Sequence, residues 1–131
     1  MTLTLEEANR IAAGAVEKAR QLNIKISAAV VDAGGRLVAF QRMDNAIWAG
    51  VYGSQGKAVA SAAFGRASGE LQPRADQPTP RGITVRSGGE MILGQGAVPI
   101  LRGGVVIGAC GVGGGTSQED EDCARAGAER L

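Results

Sequence analysis

Two segments of this chain read as strand, glycine turn and strand, and they restrict its architecture more than any other feature. "IKISAAVVD" is β-branched and apolar on both faces, the pattern of a strand covered from both sides. "AGG" can reverse the chain, because glycine tolerates positive φ, and "RLVAFQRM" returns. The last third repeats the arrangement with "AVPIL", "RGG" and "VVIGACGV". Residues 24–43 are therefore expected to form a hairpin, and similar turn chemistry allows both hairpins to lie adjacent in one sheet. Hairpins pair antiparallel, so the fold class is expected to be α+β rather than a βαβ dinucleotide fold.

Helical patterns surround the hairpins. Thr4 with Glu7 has the spacing of a capping box, and Leu5, Ala8, Ile11, Ala12, Ala15, Val16, Ala19 and Leu22 recur on one helical face. Residues 46–66 read as a second helix despite Gly50, Gly53 and Gly56 at every third position. Each internal glycine costs roughly 1 kcal/mol relative to alanine. The stripe thus implies close approach to a sheet, a symmetry mate or a ligand. Asp44 or Asn45 could cap this helix. Residues 69–90 hold three of the four prolines and few large apolar residues, so they read as a long loop that is either functional or mobile. A last helix is expected from about residue 117, with Thr116 or Ser117 as its cap and Glu119 or Asp120 closing the box.

Composition removes several function classes. The 131 residues suit one domain spanning 1–131, with 44% apolar and 21% charged residues. Fourteen basic side chains stand against 13 acidic ones, a balance that argues against a nucleic-acid or membrane-surface binder. The N-terminus lacks a signal pattern and no apolar run is long enough to span a membrane, so a cytoplasmic location is the default expectation. Cys110 and Cys123 lack metal-type spacing and read as packed side chains, and no metal site is expected. The sequence has no histidine, which excludes Ser-His-Asp and Cys-His machinery and every histidine-based metal site within this chain. Any acid or base must be a carboxylate, Lys, Tyr or Cys.

The run "GVGGGTSQEDED" invites a phosphate-loop reading, which spacing and charge both oppose. Gly56-Lys57 is the sole Gly-Lys pair, and neither Val51 nor Ala58 fits a P-loop. A dinucleotide fingerprint starting at Gly111 meets Thr116 where its third glycine belongs. Glu119, Asp120, Glu121 and Asp122 suit the positive end of a helix dipole and would repel a polyphosphate there. The amides of Gly113, Gly114 and Gly115 remain candidates for one modest anionic contact. Lys57, among small residues, reads either as a partly desolvated base, imine-forming amine or anion clamp, or as a snorkelling surface lysine. Arg42 could hold a carboxylate in bidentate fashion, and Arg42 with Asp44 near Lys57 would form a polar pocket rim.

Three segments, "AAVVDAGGRLVAFQRMDNA" at 28–46, "GKAVASAAFGR" at 56–66 and "GGVVIGACGVGGGTSQEDEDCARAG" at 103–127, resemble the GlcG/HbpS family. The resemblance spans most of the chain and is weakest in the middle loop. It implies a central antiparallel sheet of about five strands flanked by helices, similar to profilin-like and PAS-like sandwiches. It also implies homo-oligomers, from dimers to octamers. Family members are described as haem-binding or haem-degrading, as corrinoid-related domains fused to PduO-type adenosyltransferases, or as accessory proteins for small hydroxy or oxo acids. Haem or a corrinoid is thus the implied cofactor. Histidine ligation of haem is excluded, which leaves Tyr52, Met43, Met91 and Cys110 as iron ligands in principle. Two functions are expected to compete. One is a small-molecule or cofactor-binding accessory protein. The other is a cofactor-independent isomerase, hydratase or lyase of an organic acid. There Arg42 would bind carboxylate, Lys57 or Asp44 would move the proton, and the Gly113–Gly115 amides would hold an oxyanion.

Overall fold

The computed structural model describes residues 2–131. Its elements run α1 (Leu5–Gln21), β1 (Ser27–Asp32), β2 (Leu37–Arg42), α2 (Ala49–Phe64), α3 (Pro78–Arg86), β3 (Ala97–Arg102), β4 (Val105–Gly113) and α4 (Ser117–Ala128). Every neighbouring strand pair is antiparallel, in the order β2-β1-β4-β3. Both hairpins are therefore present, and their inner strands β1 and β4 pair with each other at the centre of the sheet. Pro99 lies on β3, an edge strand, where its missing N–H interrupts no ladder between central strands.

Among the described residues the sheet has four strands rather than about five. Residues 91–96, which precede β3, form no strand. Ile92 N–H donates to the Gly56 carbonyl at 3.0 Å, and the Gly96 carbonyl accepts from Val112 N–H at 3.0 Å. Gly96 itself has a φ of 143°, which ends extended geometry.

The sheet is covered on both faces. Ala28, Val30, Cys110 and Val112 pack with Ile11 and Ala15 of α1 and with Cys123 and Ala124 of α4. On the opposite face Val31 and Ala109 pack with Ala58 and Ala62 of α2. This double cover explains the unbroken apolar run in β1, whose first five residues are all buried. The Thr4–Glu7 capping box forms, and so does a box between Thr116 and Glu119. Among the described residues no helix is long and apolar enough to cross a membrane.

The glycine stripe of α2 is divided in use. A Cβ on Gly50 would sit 3.0 Å from the Gly113 carbonyl oxygen, and one on Gly111 would come within 2.8 Å of Ala58 N. Backbone thus lies directly on backbone where α2 crosses β4, as close helix–sheet packing requires. Gly56 lies under the Ile92 side chain, whereas Gly53 faces open space.

Two further expectations need correction. Residues 69–90 are not a loop throughout: single 3₁₀ turns at Ser68–Glu70 and Gln72–Arg74 lead into α3. Pro78 is the first residue of α3, a position where a proline loses no helical hydrogen bond. Neither Asp44 nor Asn45 caps α2. Asn45 takes a left-handed φ of 68°, the chain turns there, and the helix begins after Trp48 without a side-chain cap.

Candidate functional site

Lys57 lies on the face of α2 turned toward β4 and α4, and its side chain is only 10% exposed. Its ammonium donates to Asp120 Oδ2 at 3.0 Å and to the Gln95 carbonyl at 3.3 Å. Asp120 is buried one turn into α4, and its Oδ1 accepts the Gly115 amide at 2.8 Å. Burial pushes the Asp120 carboxyl above its ordinary range, while the Lys57 ammonium and the Gly115 amide pull it back. Thr116 and Glu119 complete the capping box without Asp120, which leaves that carboxylate free to turn inward. One ion pair therefore ties α2, the 92–96 segment and the start of α4 together.

Asp120 is the residue that sequence reasoning missed. Sequence reasoning places it with Glu119, Glu121 and Asp122 at the positive end of a helix dipole, or in the capping box. Its spacing carries the missing signal: residues 120, 123, 124 and 127 form the buried face of α4.

The other site candidates are dispersed. Arg42 and Asp44 line a hollow of about 280 Å³ with Arg20, Lys25, Gln41 and Met43, and Lys57 is not among its residues. Three cations against one carboxylate give that hollow a positive character. Gly114 and Gly115 border a second hollow beside Ile24, Asn45 and Thr116. Gly113 closes β4 opposite Ser27, and the Gly115 amide is engaged by Asp120. The polar rim expected from Arg42, Asp44 and Lys57 together is thus not assembled.

The geometry also sorts the four iron-ligand candidates. Cys110 is fully buried, and burial pushes its thiol up to about 12. The Met43 sulfur accepts the Ile26 N–H at 3.3 Å and packs against the main core. Met91 packs beside Leu71 and Leu93. Tyr52 alone of the four stands exposed, with Trp48 edge-on to its ring at 6.1 Å between centroids.

Tyr52 lines a cleft of about 370 Å³ between the first hairpin turn, α2 and residues 89–92. Val31, Leu37, Val59 and Ile92 make its wall apolar, while Arg36, Gln55 and Glu90 add polar groups. The turn that carries Arg36 is built by Asp32, whose Oδ1 accepts the amides of Gly34 and Arg36, each at 2.9 Å. Gly35 adopts a φ of 78° and lies against Val59, which seats this turn on α2. An apolar cleft with a few converging polar groups is the usual form of a small-molecule site.

Comparison with known proteins agrees with this fold. Protein GlcG of Escherichia coli is 35% identical over 111 residues, 84% of this chain and 80% of GlcG. The corrinoid adenosyltransferase PduO of Salmonella typhimurium is 28% identical over 129 residues, 95% of this chain. The chain spans only 38% of the length of PduO. Among solved structures, the PduOC–haem complex superposes with a TM-score of 0.89 at 25% identity, covering 100% of this chain and 96% of that one. A family model described as haem degrading protein HbpS-like matches residues 3–129. The chain belongs to the HbpS-like family.

Proposed function

We propose that this chain is a cofactor-binding accessory protein, that its ligand is a planar cofactor of the haem class, and that the cleft beneath Tyr52 receives it. The carrying observation is the cleft itself: apolar walls, a few polar groups and an exposed tyrosine. The similarity to PduOC, whose structure holds haem, supports this class of ligand. The similarity to PduO makes a corrinoid the competing class. Tyrosine is an established type of haem ligand, and Tyr52 is the reachable donor of the four. When bound, haem would supply a redox-active iron; the chain would supply an apolar wall and a phenol oxygen.

The proton-transfer alternative has less support. Lys57 is buried in an ion pair, the Gly115 amide is occupied, and Arg42 and Asp44 line a different hollow. Titration with haemin and with cobalamin, followed by absorbance, tests the proposal. Saturable binding of haemin with a shifted Soret band is expected, and Tyr52→Phe should alter that band. No saturable change with haemin would overturn the haem reading.

A further inference from the structure

Arg36 and Glu90 come from distant parts of the chain and meet at the cleft. The Arg36 guanidinium contacts Glu90 Oε1 at 2.8 Å, with side chains 68% and 45% exposed. Both line the cleft, so the pair sits at its rim rather than its floor. An ion pair this exposed is worth little, because water competes for both partners. It is therefore readily exchanged for another carboxylate.

The two sides of the pair are not equally anchored. Arg36 follows a turn held by two hydrogen bonds to Asp32 and seated on Val59. Glu90 follows Gly88 and Gly89, which have φ of 76° and 78° and open space where a Cβ would sit. The backbone under Arg36 is thus held by more contacts than the backbone that leads into Glu90. Leu37, Val59, Ile92 and Tyr52 line the same cleft.

We infer that the Arg36–Glu90 pair is an exchangeable clasp for a flat apolar molecule bearing an ionised carboxylate. The ligand's carboxylate displaces Glu90 from Arg36, while its apolar body enters the cleft against Tyr52. This inference rests on the cofactor-binding reading and adds to it the charge that the ligand must carry and the residue that receives it. No covalent bond changes; the guanidinium trades one carboxylate for another, with bidentate geometry available to both.

The chain has one tryptophan, and it packs on Tyr52, so Trp48 fluorescence reports occupancy of the cleft. The test compares wild type, Arg36→Gln and Glu90→Gln with haemin, haemin dimethyl ester and metal-free protoporphyrin IX. Both substitutions are at exposed side chains, and circular dichroism checks that the fold is kept. Glu90→Gln removes the competing carboxylate and should tighten haemin binding about threefold or more. Arg36→Gln should weaken it about tenfold, down to the affinity of the dimethyl ester for wild type. Equal haemin affinity in all three proteins, or an ester that binds wild type as well as the acid, would overturn the clasp while leaving haem binding intact. Conversely, protoporphyrin binding that depends on Arg36, with no haemin-specific spectral change, would support the clasp and overturn iron ligation. If no porphyrin acid quenches Trp48, both readings fall.

Discussion

Lys57 and Asp120 lie 63 positions apart and form a buried ion pair at 3.0 Å. Removing one member of such a pair strands a desolvated charge, which costs about 3–5 kcal/mol, whereas replacing both costs much less. Lys57→Met should therefore lower stability to urea by about 3 kcal/mol. Adding Asp120→Asn should recover more than half of that loss, since the asparagine oxygen still accepts the Gly115 amide. Losses that simply add would show that the pair is uncoupled. Sequence alone offered Lys57 as a residue out of place among small neighbours. It could not name the partner, because nothing local distinguishes Asp120 from the acids beside it except its helical phase.

At the scale of elements, the contact between α2 and β4 depends on glycine for closeness and not for turning. A side chain at Gly111 would overlap the Ser54 carbonyl and approach Ala58 N to 2.8 Å, both rigid helix backbone. Gly111→Ala should destabilise by about 3 kcal/mol or more, or prevent folding. Gly53, on the same helix, has no neighbour within 4 Å, so Gly53→Ala should instead stabilise by about 0.5–1 kcal/mol. Thermal unfolding of the two variants distinguishes packing from propensity. Most elements were legible beforehand because their signals are local: the Thr4–Glu7 box, the Gly-Gly turns and the apolar period of α1. Helix α3 was not, because its prolines resemble loop chemistry unless their place in the first turn is known.

For the whole molecule, Cys110 and Cys123 share one core between the sheet, α1 and α4. Burial raises their thiols to about 12 and about 11, so neither forms thiolate appreciably near pH 8. Labelling by iodoacetamide at pH 8 should be negligible in the native protein and complete in denaturant. Modification of either cysteine under native conditions would contradict this core. Ile47, Trp48 and Tyr52 together expose an apolar surface on and before α2. We propose that the chain self-associates, as the family resemblance implies, and light scattering should report a mass at least twice 13.3 kDa. The sequence by itself determined α1, α2, α4, the Thr4–Glu7 capping box and the antiparallel hairpins, since each is set by residues within a few positions of one another. Tertiary structure alone decided that Lys57 meets Asp120, that Arg42 and Asp44 lie apart from it, and that Arg36 meets Glu90 across 54 positions. Those pairings follow from how the sheet and helices stack, and no local pattern encodes which distant side chains that stacking brings face to face.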